Sequence, residues 1–439
     1  MSDSRRRSHG PGESGPLLFV LGLVVGLLCA LIADRLTLTL ADRDIELVRA
    51  VRNLAIEDFV GDVDSDRLID DALRGMMSGL DEHSRFYGPE EVAQISRETS
   101  GEFRGIGVVF QELSAGRILF AFPGSPADRA GLHVGDRFLE VDGEPVEAMA
   151  PGDLRASLQR EDEDSIEALV EDLEGERRTV VLHPERVLDP TIRHARMLDG
   201  QHGVGYVSIH SFSHRTPEEF DLAVESLLAI GLEGLIVDLR HNPGGILDSA
   251  VQIANRFIAE GTIVATRTRT DTTVTTAEAS AARYKGLPLV VLIDGGSASA
   301  SEVLAGALQD HSVAVLIGDS SYGKGTVQTL RPFAGDRGIV KLTTATYFTP
   351  AWRPIEREEN GQSGISPDHV VEIGRVPRSE VYRFLENYSP PAETLAAIEA
   401  WESREDRELY ARHPADVQLE AAVALLNGEA PDSETLRVH

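Results

Sequence analysis

Two patterns of apolar residues alternate along the second half of the chain. Continuous apolar runs bounded by turn residues predict buried strands, and apolar residues three or four positions apart predict amphipathic helices. The predicted strands are 204–212, 234–239, 287–294, 313–318 and 339–348, and the predicted helices are 216–230, 246–258 and 299–309. Because strands and helices that alternate along a chain build a sheet covered by helices, this half predicts an α/β core.

Different patterns flank this core. From Asp34 to about Glu98, apolar residues recur at helical spacing, as they do in the acidic tail from Pro377 onward. Between Gly101 and the core, short strand-like runs predict a β-rich region in which Asp142-Gly143 marks a hairpin. The strand-like runs of that region are 103–110, 117–122 and 137–141, and short helices are expected within 124–132 and at 154–158.

The beginning of the chain predicts a membrane anchor. Residues 17–33 carry no charge, follow three arginines at 5–7, and approach the roughly 20 residues that span a bilayer. A cleaved signal peptide is the alternative, but the stretch 31–33 lacks the small residue expected three positions before a cut. Since positive residues stay on the cytoplasmic side, we expect residues 1–16 in the cytoplasm and the rest beyond the membrane.

Composition narrows the classes of partner. The chain has 439 residues, of which 42% are apolar, and 42 basic against 72 acidic residues give a formal charge of −30. Such an acidic surface repels nucleic acid, so we exclude nucleic-acid binding. Cys29 is the single cysteine, which rules out an intramolecular disulfide.

A serine-rich turn and a glycine-flanked lysine carry the candidate chemistry. Ser297, Ser299 and Ser301 lie within a small-residue stretch that enters a predicted helix, and Lys324 follows in a bend between two glycines. A serine hydroxyl needs a base to become a nucleophile, and a desolvated lysine that loses its proton supplies one. The residues alone leave three serines in competition, and a helix start capped by serine is the structural alternative.

The β-rich region resembles a PDZ domain. The resemblance rests on Gly105-Ile106-Gly107-Val108, Ser125-Pro126-Ala127, Ala130-Gly131-Leu132 and Gly135-Asp136. It implies that Gly105, Ile106, Gly107 and Val108 present backbone N–H groups to a terminal carboxylate, while the following strand pairs with an extended peptide. The acidic run 161–164 departs from the short turn usual in that family, which leaves the far boundary of the domain open.

A longer ordered set of motifs, from about Phe59 to Val371, resembles the carboxyl-terminal processing (tail-specific) proteases of serine peptidase family S41. The motifs are Ala72-Leu73-Arg74-Gly75-Met76, Leu80-Asp81-Glu82-His83-Ser84, the PDZ set, Asp238-Leu239-Arg240-His241-Asn242-Pro243-Gly244-Gly245, the stretch 297–302, Tyr322-Gly323-Lys324-Gly325-Thr326-Val327-Gln328 and Gly364-Ile365-Ser366-Pro367-Asp368. The resemblance implies an α/β fold with a crotonase/Clp-protease-like catalytic core, an inserted PDZ domain and helical ends.

The implied domain order follows from these boundaries. It is a cytoplasmic segment at 1–16, an anchor at 17–33, a helical region at 34–98, a PDZ domain at 99–187, a peptidase core at 188–375 and a helical region at 376–439. In such a protein the catalytic part lies outside the cytoplasm, in the periplasm, attached to the inner membrane.

The resemblance also assigns roles to site residues. The family's nucleophile lies 25 positions before its lysine, which selects Ser299 as the nucleophile for Lys324, and Gln328 would orient the lysine amine. The backbone N–H groups of Gly244 and Ala300 would form the oxyanion hole, with Gly245 as an alternative donor. His241 has no partner aspartate suggested by spacing, so we do not expect it to act as the base.

The remaining expectations concern substrates, partners and rival functions. Trp352 stands where the family often has glycine, which we expect to alter the substrate groove. We expect protein substrates with exposed C-terminal tails and neither cofactor nor metal; a lipoprotein adaptor and a homo-oligomer are left open. The rivals are an inactive anchored PDZ scaffold and crotonase-like acyl-coenzyme A chemistry. Retention of Ser299 and Lys324 argues against the first, and the anchor argues against the second.

Overall fold

The described part of the chain lies between residues 44 and 429. The computed structural model describes residues 44–89, 91–92, 102–110, 116–150, 152–159, 165–172, 174–198, 203–333, 337–356, 364–390, 392–405 and 414–429. The predicted anchor at 17–33 and the segment 1–16 lie outside these residues. Within these ranges no helix has both the length and the apolar character needed to cross a bilayer.

The described residues 44–82 form a separate unit that contains two helices. Helix α1 covers 44–58 and helix α2 covers Ser65–Ser78, as the helical spacing predicts. Asp64 caps α2, because its carboxylate accepts the N–H groups of Asp66 and Arg67 at 2.9 and 3.1 Å. This carboxylate supplies acceptors for N–H groups that have no partner inside the helix.

One strand was not anticipated in the region 34–98. Strand β1, Arg85–Tyr87, pairs antiparallel with Ile339–Lys341. A three-residue strand is too short to show a periodic pattern, so the helical expectation for this stretch was wrong. Its pairing is long-range, and the sequence around it carries no local signal for it.

The PDZ region contains two short sheets and a four-stranded sheet. Its elements are β2 (Glu102–Gly105), β3 (Val108–Phe110), β4 (Ile118–Ala121), α3 (Pro126–Arg129), β5 (Arg137–Val141), β6 (Glu144–Pro145), α4 (Asp153–Leu158), β7 (Ile166–Glu171), β8 (Arg177–Leu182) and β9 (Glu185–Leu188). Strand β2 pairs with β9, β3 with β4, and the larger sheet has the order β6-β5-β7-β8.

Two details of this region can be compared with the sequence. The hairpin expected at Asp142-Gly143 is present, since Val141 pairs with Glu144. The run 103–110, expected as one strand, is divided into β2 and β3. Gly107 causes the break, because its φ of +73° is a left-handed conformation that a regular strand does not contain.

The peptidase core is built on a six-stranded sheet of order β10-β11-β12-β15-β16-β19. Its strands are β10 (Ile192–Met197), β11 (Val204–Ile209), β12 (Gly234–Asp238), β15 (Leu289–Ile293), β16 (Val315–Gly318) and β19 (His369–Val370). All pairings are parallel except that of β10 with β11. Every residue of β12 and β15 is buried, as expected for parallel strands covered on both faces.

The helices of the core follow the predicted alternation. They are α5 (Thr216–Ala229), α6 (Leu247–Phe257) and α7 (Ala300–Asp310). A second sheet has the order β1-β18-β13-β14, with β17 also paired to β18. Its other strands are β13 (Thr262–Thr268), β14 (Thr272–Thr276), β17 (Thr326–Pro332) and β18 (Ile339–Phe348).

The tail is helical, as its apolar stripe predicts. Its described helices are α8 (Arg375–Glu386), α9 (Ala392–Glu405) and α10 (Val417–Leu426). Leu419 and Ala422 of α10 pack with Val204 and Ile236 of the six-stranded sheet in one buried cluster. Helix α10 therefore packs on one face of the six-stranded sheet.

Candidate active site

The candidate nucleophile lies in a strained turn between β15 and α7. Ser299 directly precedes α7 and has φ +56° and ψ −113°, a conformation that non-glycine residues rarely adopt. Backbone strain of this kind costs on the order of 1–3 kcal/mol and concentrates at functional sites. The residue is 8% exposed.

The structure separates the three serines that the sequence left in competition. Ser297 Oγ donates to Leu239 O at 2.7 Å, and Ser301 Oγ donates to Asn242 O at 3.0 Å. Both residues are fully buried, so their hydroxyls hold neighbouring backbone in place. Ser297 and Ser301 thus shape the turn, as expected, and Ser299 stays the predicted nucleophile.

A buried carboxylate connects this turn to the lysine loop. Glu302 is fully buried, and its Oε2 accepts the N–H of Ser299 at 2.7 Å and that of Lys324 at 2.9 Å. Its Oε1 accepts the Ser321 hydroxyl at 2.5 Å and the Gly323 N–H at 2.6 Å. Burial raises the pKa of Glu302, while these four hydrogen bonds lower it. One side chain therefore brings the backbones of both predicted catalytic residues to a common point.

Lys324 lies half-buried after this loop. Burial lowers the pKa of its amine below the ordinary value of 10.5, the charge of Lys341 lowers it further, and Glu302 acts in the opposite direction. A general base must be unprotonated to accept a proton, so these surroundings favour the form of Lys324 that the predicted chemistry requires.

The pH profile of activity tests this environment. We expect kcat/KM to rise with pH and level off, with an inflection below the ordinary lysine pKa. Lys341→Met removes a like charge, so it should raise the pKa of Lys324 and move the inflection to higher pH. Lys285→Met, at an exposed lysine, is the matched control and should leave the profile unchanged. An inflection near 6.5 in the parent would instead indicate a histidine base.

Gln328 lies on β17, four residues after Lys324. Its amide Nε2 donates to Thr326 Oγ1 at 2.8 Å and to Thr326 O at 3.2 Å. The side chain is therefore held by its own strand in this structure. Its role in orienting the lysine amine stays a prediction.

The predicted oxyanion-hole residues are close to Ser299. Gly244 has φ +98°, and a Cβ added there would lie 2.9 Å from Ser299 Cβ and 3.0 Å from Ala300 N. Only glycine permits this approach. Ala300 is the first residue of α7, where N–H groups have no partner inside the helix.

The Gly244 N–H is not free in this structure. It donates to Asn242 Oδ1 at 2.9 Å, so this bond must yield before the group can meet an oxyanion. Gly245, the alternative donor, forms an isolated parallel bridge with Phe212. The choice between the two glycines stays a prediction.

The loop before these glycines rests on a buried ionic cluster. Arg240 donates to Asp238 Oδ2 at 2.6 Å and to Asp416 Oδ2 at 2.7 Å, and all three side chains are at most 1% exposed. Burial opposes the charge on Arg240, but the two carboxylates raise its pKa well above the ordinary value. Asp416 caps α10, so this ion pair ties the tail to the loop that precedes Gly244 and Gly245.

His241 and His311 each contact neighbouring groups of the fold. The ring of His241 stacks on Tyr382 with centroids 4.4 Å apart, and its Nε2 lies 3.0 Å from Glu386 Oε1 at the surface. His311 caps the far end of α7, with Nε2 2.6 Å from Thr262 O. That His241 is not the base stays a prediction.

The predicted peptide-binding loop lies beside a cavity. Val108, at the start of β3, lines a cavity of about 430 Å³ together with Arg155 and Gln159 of the PDZ region, His210 of the peptidase core and Tyr388 of the helical tail. Val108 is therefore the member of the predicted loop that faces this space directly.

The edge of β3 is available on the cavity side. Phe122 N donates to Gly107 O at 2.8 Å, so the next pair, Val108 with Ala121, has its backbone groups turned away from β4. Among the described strands, β3 pairs with β4 alone. The Ile106 N–H donates to Leu158 O at 3.3 Å, so that donor of the predicted loop is already engaged.

Two site features were not anticipated individually. Glu302 ends the motif 297–302, and Ser-x-x-Glu before an apolar helix is the signal of a capping box, which pairs these positions at a helix start. Asp416 carried no such signal, because its partner Arg240 lies 176 positions away in the sequence. In the described ranges no cluster of His, Cys, Asp or Glu forms a metal site.

Comparison with known proteins identifies two regions by family. Residues 203–371 match the model of peptidase family S41, and residues 122–171 match a PDZ domain model. A carboxy-terminal-processing protease of Bartonella bacilliformis is 32% identical over 377 residues, covering 83% of this chain and 84% of the relative. A carboxyl-terminal-processing protease of Synechocystis sp. is 33% identical over 366 residues, covering 81% and 76%.

A solved structure gives a further comparison. The photosystem II D1 C-terminal processing protease matches with a TM-score of 0.43 and 28% identity, covering 80% of this chain and 90% of that one.

Proposed function

The chain belongs to the carboxyl-terminal processing proteases of peptidase family S41, and on that premise we propose that it cleaves protein substrates with a Ser299-Lys324 dyad. It is a serine-type peptidase with a PDZ domain. The observation that carries the dyad is the Glu302 carboxylate, which accepts the backbone N–H groups of both Ser299 and Lys324.

The proposed reaction begins with neutral Lys324 as the general base. Its amine takes the proton of Ser299 Oγ as the oxygen attacks the scissile carbonyl, and the Ala300 N–H with Gly244 stabilises the oxyanion. The lysine then returns the proton to the leaving amine, and an acyl-enzyme forms. Lys324 next activates a water molecule, which attacks the ester and releases Ser299. Gln328 would orient the amine through both halves of the reaction.

We further propose that the PDZ domain selects substrates by their C-terminal tails. The free edge of β3 and the adjoining cavity support pairing with an extended peptide, whose carboxylate would reach the loop 105–108. The cavity is also lined by His210 of the peptidase core and by Tyr388 of the helical tail. A tail bound there would contact both parts, so binding would favour an assembled active site if the two states differ in tail affinity.

The place of action is part of the proposal. The uncharged run 17–33 after the arginines at 5–7 supports a single-pass anchor in the cytoplasmic membrane with the catalytic part in the periplasm. Substrates would then be extracytoplasmic proteins with exposed tails. This location is compatible with delivery of substrates by a lipoprotein adaptor and with a homo-oligomer of the chain.

A pair of tailed reporter peptides tests the proposal. We expect a peptide with a free C-terminal carboxylate to be cleaved with a kcat/KM about tenfold higher than its C-terminal amide, because amidation removes a charged hydrogen-bond acceptor. The same reporter without the tail, in free and amidated forms, is the control and should show no difference. Equal cleavage of the two tailed forms would contradict recognition of the terminus.

A further inference from the structure

The three loops of the candidate site leave neighbouring strands at the same edge of the six-stranded sheet. The oxyanion loop, 239–245, follows β12, the serine turn, 294–299, follows β15, and the lysine loop, 319–325, follows β16. These strands are parallel neighbours, and such strands lie about 4.8 Å apart. Because the carboxyl ends of parallel strands meet at one edge, a single element that crosses this edge can reach all three loops.

Helix α8 of the tail has the right spacing to do so. It carries three polar residues at intervals of four, namely Arg378, Tyr382 and Glu386. Residues four apart lie on one face of a helix and about 6 Å apart along its axis. This interval is similar to the strand spacing, so successive residues can meet successive loops. We call these three residues the tail stripe.

At the lysine loop the contact is an ion pair. Arg378 donates to Asp319 Oδ2 at 2.6 Å, and the two side chains are 39% and 24% exposed. Asp319 is the first residue after β16, and its N–H donates to Ile293 O at 3.1 Å. The pair therefore holds the point at which the chain leaves the sheet toward Lys324.

At the serine turn the contact is with a buried carboxylate. Asp294 is 3% exposed, and its Oδ1 accepts the N–H groups of His241 at 2.9 Å and Gly296 at 2.8 Å, which joins the oxyanion loop to the serine turn. Burial raises the pKa of Tyr382, and Asp294, which accepts a hydrogen bond from its hydroxyl, raises it further. Tyr382 is therefore a neutral donor to the carboxylate that connects the two loops.

At the oxyanion loop the contact is with His241. This residue has φ +59°, a left-handed conformation that a non-glycine residue keeps only where its surroundings hold it. Its ring stacks on Tyr382 with centroids 4.4 Å apart, and its Nε2 lies 3.0 Å from Glu386 Oε1. A Cβ added at Gly296 would lie 2.9 Å from His241 Cα, so a shift of His241 would also displace the serine turn.

We propose that the tail stripe positions the three catalytic loops relative to one another. The inference rests on the proposed function, because the relative placement of these loops matters only if nucleophile, base and oxyanion donors act together. The stripe acts through Asp319, Asp294 and His241, so its members are positioning residues and form no bond with the substrate. Its effect should fall on kcat, since rates depend steeply on the placement of reacting groups.

The ion pair gives a test that does not depend on stability. Arg378→Ala should lower kcat about tenfold and leave KM and the thermal midpoint close to the parent values, because a partly exposed ion pair adds little stability. Arg378→Lys keeps a cation within reach of Asp319 and should restore most of kcat. Arg383→Ala, at an exposed arginine of the same helix, is the matched control and should match the parent. Unchanged kcat in Arg378→Ala, or an equal loss in Arg383→Ala, would overturn the proposal.

A double-mutant cycle shows whether Arg378 acts through Asp319. Asp319→Asn should lower kcat to a similar degree, and the double variant should lose no more than either single variant. Additive losses would contradict a route through Asp319.

Tyr382 connects the other two loops, so its replacement should have a larger effect. Tyr382→Leu removes the ring contact with His241 and the hydroxyl, and it should lower kcat about 100-fold. Tyr382→Phe keeps the ring and should fall between this variant and the parent. Affinity for a tailed peptide, measured in the Ser299→Ala background, should be unchanged by either replacement. A loss in Tyr382→Leu that appears in peptide affinity and not in kcat would contradict positioning of the loops.

The rate of fluorophosphonate labelling separates the tail stripe from the dyad. Labelling requires no peptide, so Arg378→Ala should slow modification of Ser299 about as much as it lowers kcat, because a displaced Lys324 activates the hydroxyl less. Labelling at the parent rate in Arg378→Ala would count against the stripe. Failure of the dyad has a different signature, namely cleavage that persists in Ser299→Ala.

Discussion

Replacing Ser299 with alanine is expected to lower kcat/KM for a tailed peptide by about 10⁵-fold. The hydroxyl is the only group in the proposed mechanism that forms the acyl-enzyme, so the loss falls on kcat. The fold should persist, because the backbone N–H of Ser299 still reaches Glu302 Oε2 and the side chain loses a single oxygen. Circular dichroism and the thermal midpoint of the variant should therefore match those of the parent.

The lysine variants make the test specific to a dyad. Lys324→Met removes the base and Lys324→Arg keeps a charge that cannot be lost near neutral pH, so both should be as inactive as Ser299→Ala. The double variant Ser299→Ala with Lys324→Met should lose no more than either single variant, because nucleophile and base act as a unit. An additive loss would show that the two residues contribute separately.

Covalent labelling provides a readout that does not depend on the substrate. A fluorophosphonate probe should modify Ser299 in the parent, and neither Ser299→Ala nor Lys324→Met should be labelled. Ser226→Ala, at an exposed serine of α5, is the matched control and should keep full activity and labelling. Label found on another serine, or activity retained in Ser299→Ala, would contradict the assignment of Ser299 as the nucleophile.

The parts of the fold predicted from sequence are those with strong local patterns. Strands β12 and β15 are continuous apolar runs, and the spacing of apolar residues in α5 and α6 is helical. Strands β13, β14 and β17 were not predicted. Strands β14 and β17 contain no buried residue, and the apolar run of β13 covers only residues 263–265, so none of them shows the longer apolar run or regular alternation that identifies a strand. Strands β13 and β17 pair with β18, and β14 pairs with β13, so these pairings supply what the local sequence does not.

The candidate site divides in the same way. Ser299, Lys324 and the glycines at 244 and 245 could be placed because they stand in ordered short motifs. The arrangement that joins them could not, since the Glu302 carboxylate meets the lysine loop only after β16 has brought that loop back to the start of α7. The hydrogen bond from the Gly244 N–H to the Asn242 side chain could not be predicted either, because the sequence does not show which N–H groups of a turn already have acceptors.

The second large expected effect is a loss of stability when Asp416 is replaced. Asp416→Ala should lower the free energy of unfolding by about 3–5 kcal/mol, because removing one partner leaves the buried Arg240 charge poorly compensated. It also removes the cap of α10, whose N–H groups at Gln418 and Leu419 the carboxylate accepts at 3.1 and 3.2 Å. Urea unfolding followed by circular dichroism measures the change.

Two matched variants separate the contributions to this effect. Asp416→Asn retains an oxygen that can cap α10 but removes the negative charge, so the loss that remains reports the ionic cluster alone. Glu225→Gln breaks an exposed ion pair with Arg283 of 3.5 Å and should change the free energy by less than about 1 kcal/mol. A loss of that small size in Asp416→Ala would contradict the role assigned to the buried cluster.

The same variants test whether the tail influences catalysis. Arg240 lies two residues before Asn242, whose backbone O accepts the Ala298 N–H at 3.0 Å beside Ser299. A displaced Arg240 should therefore move the oxyanion loop, and a displacement near 1 Å can cost about 100-fold in rate. We expect folded Asp416→Asn to show lower kcat with little change in tail affinity. If kcat is unchanged in that variant, the oxyanion loop holds its geometry without the second carboxylate. The tail would then contribute to stability and not to catalysis.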